Sequence, residues 1–595
     1  MLAGHRALYA CLLCACGCGT RPESVAPDAT SPDRFVVVDA TAGDGAEPDA
    51  GLGNDVSDAE SADALDVHDA AQSDGGEVDA GLGSDGGLGS DAGLGSDAGL
   101  GSDAAPRSCT WGVSPLRPIS RSIRDENARP GDRGWLIDDP ADGEIEGYAS
   151  ETSVRAGDRL DLFVSTRESR FSIAVYRVGW YGGVGARRVL APIELPGARQ
   201  PTPTPDPTTG LVEAAWRSSL TLNIPRGGPL ASERWPSGVY LAKLTALTSN
   251  KGSYIPFVVR EDEGSSDLLF QSSVNTFAAY NEWGGYSLYT TARAVKVSFN
   301  RPYHYTPNYG RGAGQFFRWE INAVRFLERE GYDVSYATDV DVHRDPCIVA
   351  PHRAFLSVGH DEYWSWQMRD NVEAARDHGV NVAFLGANAA YWQIRYEPSD
   401  LTGAPDRTIV SYKGDAAARD PARYDPALSK FLTTRFRDPI VGRPESSMIG
   451  VAYEVGYWPI DADFVVQGAG HWIYEGTGLV EGARLPGLVG YEVDRANASS
   501  PPDLEILGAS PVIVQGGGAG RANMSLYRAT SGAYVFATGS MQWCWGLDDF
   551  VDDLAPRSTR RNAAAEQMTR NVLDRFRFGA SWRQRSKAPP QNEGR

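Results

Sequence analysis

Apolar residues follow two different patterns along the part of the chain after residue 145. Between residues 145 and 260, short runs of β-branched and aromatic residues are separated by Gly, Pro and Asp, and none has helical spacing. These runs lie at 161–165, 171–176, 238–244 and 254–259. Runs of this length between turn residues are typical of an antiparallel β-sandwich. The sequence therefore predicts a β-sandwich-like domain over residues 108–262.

The second pattern, after residue 266, alternates apolar strands with amphipathic helices. The predicted strands are 268–270, 332–337, 354–358 and 380–385, and the predicted helices are 316–330, which stops at Gly331, and a segment between the capping residues Ser365 and Gly379. Helices that alternate with strands cover the faces of a parallel sheet. We expect a mainly parallel, Rossmann-type α/β domain over residues 263–580, followed by a flexible tail, 581–595.

The N-terminal segment has the pattern of a secretory signal. His5 and Arg6 precede a short apolar stretch that ends in a small residue before a cysteine. This segment resembles a bacterial lipoprotein signal, with Cys16 as the expected lipidation site; Cys18 fits less well. A metal site among the clustered cysteines is a competing interpretation, although no His or further Cys follows at ligand spacing. With a signal and lipobox over 1–18, the protein is expected to be exported and lipid-anchored at the cell envelope or cell surface.

Residues 19–107 are rich in Asp, Ala, Gly, Ser and Pro and contain almost no aromatic side chains. Gly-Leu-Gly-Ser-Asp recurs here with a period of six. A calcium-binding β-helix would require a nonameric repeat and more apolar residues. A disordered linker is therefore the preferred interpretation, because the segment has too few apolar residues to form a core.

The net charge of −20 is concentrated in this N-terminal region. Residues 1–107 contain 20 acidic and 4 basic residues, a net charge of −16, whereas residues 108–595 contain 57 and 53, a net charge of −4. Neither part has the excess of cations typical of a nucleic-acid-binding protein. No apolar run reaches the roughly 18–20 residues of a spanning helix. Contact with a membrane is therefore expected only through the lipid anchor.

Polar and aromatic side chains follow the two predicted strands 354–358 and 380–385. They are His360, Asp361, Glu362 and Tyr363 after the first strand and Asn388 and Tyr391 after the second. If these strands are neighbours in a parallel sheet, both loops open at the same edge. Polar residues that cluster on such loops indicate function more strongly than the same residues in a core.

The chain lacks the catalytic residues that several common classes of hydrolase require. The turn after strand 354–358 has no cysteine nucleophile, and no Gly-x-Ser-x-Gly motif is present. Zinc is disfavoured because no two histidines of the folded region are four residues apart. Carboxylates and phenols remain, and these oxygen ligands suit a hard cation.

Six motifs, in order, resemble the large (β) subunit of N,N-dimethylformamidase and its relatives. They are IEGYAS (145–150), VYRVGWYGG (175–183), SVGHDEYW (357–364), GANAAYW (386–392), GYEVDR (490–495) and QWCWGLD (542–548). The similarity extends over about residues 145–578. In that family a β-sandwich-like module is paired with an amidotransferase-like α/β module, which agrees with the two patterns above.

The resemblance implies an iron-dependent hydrolase of carbon–nitrogen bonds in small amides. Its active site would be a mononuclear, ferric iron held by two tyrosines and one glutamate. The best candidates are Tyr363 and Tyr391 for the phenolates and Glu492 for the carboxylate, with Tyr336, Tyr280 and Tyr491 as alternative tyrosines. The dimethylformamidase holoenzyme also has a small second subunit, so a second subunit or a homo-oligomer is expected.

Catalytic roles are expected for His360, Glu362 and Asn388. Hydroxide would attack the amide carbonyl, and either His360 or Glu362 would carry the proton to the leaving amine.

Two other functions remain open. One is a non-catalytic surface binding or adhesion lipoprotein that retains the fold, and the other is a metal-free hydrolase with Asp361 and Glu362 as an acid–base pair. For an exported protein, one disulfide among Cys109, Cys347 and Cys544 is also expected, with its pairing undetermined.

Overall fold

The structure is a computed structural model that describes residues 109, 111, 122–226, 234–262, 266–304, 310–453, 461–514, 517–552 and 559–585. The predicted signal (1–18), its lipidation residue Cys16 and the predicted linker (19–107) lie outside the described residues. Within the described ranges, no helix is long and apolar enough to span a bilayer.

The described chain is mostly β structure in several sheets, with few helices. Its strands are β1 (Ile145–Ala149), β2 (Ser153–Arg155), β3 (Arg159–Thr166), β4 (Arg170–Val178), β5 (Ala186–Pro196), β6 (Ser218–Asn223), β7 (Gly238–Ala246), β8 (Gly252–Arg260), β9 (Leu268–Ser272), β10 (Lys296–Ser298), β11 (Val334–Thr338), β12 (Ala354–His360), β13 (Tyr363–Ser365), β14 (Asn381–Ala387), β15 (Trp392–Glu397), β16 (Thr408–Val410), β17 (Ala452–Tyr453), β18 (Ala462–Val465), β19 (Arg484–Val489), β20 (Asp494–Arg495), β21 (Glu505–Ile513), β22 (Ala519–Arg528) and β23 (Tyr534–Ala537). Its α-helices are α1 (Ser122–Asn127), α2 (Val274–Ala279), α3 (Phe316–Trp319), α4 (Ile321–Glu330), α5 (Asp339–Arg344), α6 (Trp366–Asp377), α7 (Ala416–Arg419), α8 (Ser446–Ile449), α9 (Ala563–Phe578) and α10 (Trp582–Arg585).

Two sheets lie in the part of the chain before residue 262. One has the strand order β1-β3-β6 and the other the order β2-β8-β7-β4-β5. Leu162 of the first sheet and Ile173 and Phe257 of the second belong to one hydrophobic cluster of buried residues. The two sheets therefore share a core, and the four strands expected here are all present.

A larger sheet with the order β11-β9-β12-β14-β23-β22-β21 follows after residue 266. Its first five strands pair in parallel, and β22 and β21 add antiparallel pairs at one edge. All seven residues of β12 are buried, as expected for a strand covered on both faces. Strands β12 and β14 are direct neighbours, so they end at the same edge of the sheet and the expectation that their loops meet is confirmed.

Glu320 divides the predicted helix 316–330 into two. Helix α3 ends at Trp319 and α4 begins at Ile321. The Glu320 carboxylate accepts hydrogen bonds from the Ser272 hydroxyl and the Ser273 backbone amide, both at 2.8 Å. These bonds hold Glu320 against the end of β9, where the helix is interrupted.

A disulfide joins Cys109 to Cys347, whereas Cys544 is a buried free thiol. The predicted flexible tail, 581–595, begins with α10, and residues 586–595 lie outside the described ranges. Smaller sheets, with the orders β10-β16-β15-β13, β17-β20 and β18-β19, complete the strand pairing of the described chain.

Candidate active site

The candidate active site lies beyond the carboxyl ends of β9, β12 and β14, which are consecutive neighbours in the sheet. Each strand leads directly into a segment that carries polar side chains. Parallel strands place the segments that follow them at one edge, where ligands of α/β proteins usually bind. Residues that are far apart in the sequence therefore meet here.

Two tyrosines and one glutamate form the centre of the site. The Tyr280 hydroxyl donates to Glu362 Oε2 at 2.9 Å. The Tyr289 hydroxyl lies 2.9 Å from Glu362 Oε1 and 3.0 Å from Oε2. The two phenol rings are stacked, with centroids 4.0 Å apart. Three oxygen-bearing side chains thus converge in one place.

A lysine and a third tyrosine contact Tyr289. The Lys413 ammonium lies 3.3 Å from the centroid of the Tyr289 ring, and only 1% of this lysine is exposed. The Tyr363 hydroxyl donates to the Tyr289 hydroxyl at 2.6 Å. The Tyr289 phenol thus contacts a buried cation at its ring and accepts a hydrogen bond at its oxygen.

His360 lies between two carboxylates. Its Nδ1 is 2.8 Å from the Gln315 side-chain oxygen, which can only accept a hydrogen bond, so Nδ1 carries a proton. Its Nε2 lies 3.2 Å from Glu362 Oε2 and 3.6 Å from Glu492 Oε2. These are ion-pair distances. Burial acts to lower the pKa of His360, but the charges of Glu492 and Glu362 raise it above its ordinary value, so both ring nitrogens carry a proton.

Asn388 positions Glu492. The Asn388 side chain donates to Glu492 Oε2 at 3.1 Å, and its backbone amide donates to Asp494 Oδ1 at 2.8 Å. Asn388 adopts a left-handed conformation, with φ of 55°, which asparagine tolerates better than most residues. The turn after β14 therefore holds the asparagine with its side chain against the carboxylate.

Burial and neighbouring charges shift the pKa values of Glu362 and Glu492 in opposite directions. Burial raises the pKa of Glu492 to about 7; the charge of His360 opposes this rise, and the charge of Glu362 adds to it. Burial also acts to raise the pKa of Glu362, but the hydrogen bond and charge of His360 and the charge of Lys413 together lower it below its ordinary value. Glu362 is thus suited to stay ionised, whereas nearby Glu492 is suited to exchange protons near neutral pH.

The tyrosines predicted from motifs occupy other positions. Tyr363 lies beside the central cluster, hydrogen-bonded to Tyr289. Tyr391 instead faces Arg437, whose guanidinium is 5.1 Å from its ring, and Tyr453, whose ring centroid is 5.6 Å away. Of the alternatives, Tyr280 belongs to the cluster.

The other two alternative tyrosines have different partners. Tyr336 donates to Glu328 at 3.0 Å, and Tyr491 packs on Trp319 with ring centroids 5.2 Å apart. The hydrogen bonds described above join Tyr280, Tyr289 and Glu362; the assignment of Tyr363, Tyr391 and Glu492 as metal ligands stays a prediction.

Three important residues were missed at the sequence level: Tyr289, Lys413 and Gln315. A signal existed for Tyr289, because it follows Tyr280 in the segment after β9, and that strand had been predicted. No group of three or more His, Cys, Asp or Glu side chains in the described residues is arranged to hold a metal ion. The central cluster offers only one carboxylate, and its remaining donors are phenols.

Comparison with known proteins agrees with the motif resemblance. A family model described as N,N-dimethylformamidase beta subunit-like, C-terminal, matches residues 172–559. The chain is 24% identical over 359 residues to the N,N-dimethylformamidase beta subunit of Alcaligenes sp, a match that covers 53% of this chain and 44% of that relative. The match thus spans less than half of the relative's length. Because the family model covers more than half of the chain, this protein belongs to the N,N-dimethylformamidase beta subunit-like family.

Proposed function

We propose that this protein hydrolyses carbon–nitrogen bonds of small amides and that Tyr280, Tyr289 and Glu362 hold a mononuclear iron ion. One observation carries the proposal: two phenol oxygens lie within 3.0 Å of a single buried carboxylate. Phenol and carboxylate oxygens are hard ligands, which fit a ferric ion. The similarity to a dimethylformamidase subunit supports the reaction class.

The residues around the cluster have different roles in the proposed hydrolysis. Tyr280, Tyr289 and Glu362 would hold the ferric ion, which would supply positive charge to polarise an amide carbonyl and to keep both phenols ionised. Glu492 accepts a proton from the water that attacks the carbonyl and returns it to the leaving amine, a role that suits its pKa of about 7. Asn388 holds Glu492 in place through its 3.1 Å hydrogen bond.

His360 completes this arrangement. Its Nε2 lies between Glu362 and Glu492, at 3.2 and 3.6 Å. With protons on both ring nitrogens, the imidazolium holds its Nε2–H group toward the two carboxylates and the reacting region. Glu362, the other predicted proton carrier, is assigned to the iron instead.

Metal analysis of the purified full chain tests this proposal. We expect about one iron per chain, as a mononuclear site requires, and loss of that iron in Tyr280→Phe and Tyr289→Phe, because each variant removes one ligand oxygen. Tyr391→Phe is the matched control and should keep its iron, since this phenol faces Arg437. Glu492→Gln should keep the iron but lose amide turnover.

Two results would count against the proposal. Purified wild-type protein without iron, and not activated when ferric or ferrous salt is added, would exclude an iron enzyme. Loss of iron in Tyr391→Phe but not in Tyr289→Phe would assign the ligands to the set predicted from motifs.

The location of the protein follows from a separate set of observations. We propose that it is exported and attached to a membrane through Cys16. The disulfide between Cys109 and Cys347 supports this, because disulfides persist in oxidising compartments. Labelling of cells with a fatty-acid analogue should modify the wild-type protein and leave Cys16→Ser unlabelled.

We also propose that the chain has a β-sandwich-like module, 108–262, and an amidotransferase-like, Rossmann-type module, 263–580. The shared core of the first two sheets and the five parallel strands of the larger sheet support this division. The similar protein of Alcaligenes sp is named as a subunit. On this basis we propose that the active form is a homo-oligomer or contains a small second subunit.

A further inference from the structure

A cavity of about 230 Å³ lies where the β-rich part and the α/β part of the chain meet. Arg133 and Trp135 line it from the first part, and Arg311, Arg325 and Phe550 line it from the second. None of the candidate active-site residues is in its lining. Cavities between domains are common ligand sites, because each domain contributes groups that the other cannot place.

The charge of the lining is predominantly positive. It contains three guanidinium groups and one carboxylate, that of Asp552. Asp552 Oδ1 accepts a hydrogen bond from Arg311 Nη1 at 2.6 Å. Arg325 is likewise paired with Asp548, so Arg133 supplies one positive charge beyond these two pairs, and the cavity favours an anion.

Arg311 also carries a buried hydrogen-bond donor. Only 6% of this residue is exposed, and its Nε–H group is buried and has no hydrogen-bond acceptor among the described residues. A buried donor without an acceptor costs about 1–3 kcal/mol. An anion bound in the cavity would supply that acceptor and remove the cost.

Arg325 is held firmly in the wall. Its Nε donates to the buried Asp548 at 2.6 Å. Its guanidinium lies 5.0 Å from the ring centroid of Trp180 and 5.7 Å from that of Phe550. A guanidinium fixed in this way binds a planar anion with little loss of side-chain entropy.

The rest of the lining is apolar. The Trp135 and Phe550 rings pack with centroids 5.9 Å apart, and Leu136 and Val184 lie beside them in the lining. We propose that this cavity binds a small organic carboxylate whose body is a planar apolar ring. The carboxylate would meet Arg311, whose guanidinium fork matches its geometry, and the ring would lie against the apolar wall.

Calorimetric titration of the full chain with benzoate tests this proposal. We expect saturable binding at one site, because one cavity provides both the cations and the apolar wall. Benzyl alcohol, which has the ring without the charge, and inorganic sulfate, which has charge without the ring, should each bind at least tenfold more weakly. Equal binding of sulfate and benzoate would contradict the proposed ring contact.

Three variants locate the binding. Arg311→Lys keeps a positive charge opposite Asp552 but removes the fork, and we expect at least a tenfold weaker affinity for benzoate. Arg133→Gln changes an exposed residue of the same lining, so it should fold normally and also weaken binding. Arg217→Gln, which removes an exposed arginine outside the lining, should bind benzoate like the wild type.

Benzoate could also bind at an iron site, so Tyr289→Phe serves as a second control. Binding that is unchanged in Tyr289→Phe but weakened in Arg311→Lys and Arg133→Gln would assign it to the cavity, whether or not the chain hydrolyses amides. A weak ligand has a Kd of about 1 mM. The proposal is overturned if wild-type protein shows no saturable binding at benzoate concentrations up to about 50-fold above that Kd, or if both arginine variants bind benzoate normally.

Discussion

Gln315 controls which nitrogen of His360 is available to the site. Its side-chain oxygen lies 2.8 Å from His360 Nδ1, and both residues are buried. An amide oxygen cannot donate, so Nδ1 keeps a proton and the ring is oriented with Nε2 toward Glu362 and Glu492. Gln315 is thus a positioning residue, which acts through His360.

Replacement of Gln315 by Leu should lower kcat roughly 10–100-fold, the usual effect of removing a partner that orients a site histidine. KM should change much less, because the expected effect acts through the orientation of His360. Gln315→Glu retains an acceptor and should recover part of the loss. Steady-state kinetics on an amide that the wild type hydrolyses provide the measurement, and a normal kcat in Gln315→Leu would refute this role.

At the scale of elements, a buried ion pair joins β4 to α4. Arg177 donates from both terminal nitrogens to Glu328, at 2.7 and 2.8 Å, and neither side chain is exposed. Asn127 and Tyr336 donate to the same carboxylate. The ion pair, whose two side chains are fully buried, therefore connects the strands before residue 262 to helix α4.

Glu328→Gln should destabilise the protein by about 3–5 kcal/mol, because it leaves the Arg177 charge buried without its partner. Glu194→Gln is the matched control: it removes one member of the exposed pair of Arg170 and Glu194, and such pairs contribute about 0–1 kcal/mol. Urea unfolding followed by fluorescence would measure both changes. A similar decrease in the free energy of unfolding in both variants would show that the buried pair contributes no more to stability than the exposed pair.

Glu320, which lies at the break between α3 and α4, makes the free energy of unfolding depend on pH. Burial raises the pKa of Glu320 from its ordinary value of 4.5 to about 8. Between these values the folded state keeps a proton that the unfolded state has lost. Stability from this group is therefore complete below pH 4.5 and is lost as the pH rises towards 8.

Glu320→Gln removes this titration. The free energy of unfolding of the wild type relative to this variant should fall steadily as the pH rises from 5 to 8, the window set by the raised pKa. Parallel urea titrations of both proteins at several pH values would measure it. A difference that stays constant over this range would mean that Glu320 is ionised in the folded protein.

At the scale of the whole molecule, the disulfide between Cys109 and Cys347 closes a loop of the chain that contains the entire β-rich part, with a sequence separation of 238 residues. Trp111 stacks on His378 nearby, with ring centroids 4.2 Å apart. The start of the described chain is thus fixed to the α/β part. A covalent bond and an aromatic contact both contribute to this attachment.

Cys347→Ser should lower the free energy of unfolding by about 2–5 kcal/mol, because a long covalent loop restricts the unfolded chain. A reducing agent should lower the stability of the wild type by a similar amount and leave the variant unchanged. Thermal unfolding with and without reductant gives both values. Equal stability of the oxidised wild type and the variant would show that the loop contributes nothing.

The local order of elements was accessible from the sequence. Strands β3, β4, β7, β8, β9, β11, β12 and β14 and helix α6 were each predicted, because apolar periodicity and capping residues are properties of a short stretch of chain. The helix break at Glu320 was not predicted, since it arises from hydrogen bonds to Ser272 and Ser273, almost fifty residues earlier.

The sequence by itself determined the family and predicted that the polar residues after β12 and β14 would lie at one edge of the sheet, because motif order and strand periodicity are carried by the chain locally. Only the tertiary structure decided which phenols meet Glu362. Tyr280 and Tyr289 lie 82 and 73 residues before it, and they reach it because β9 pairs beside β12. Sheet order is set by packing of the whole domain, so no spacing in the sequence specifies that contact.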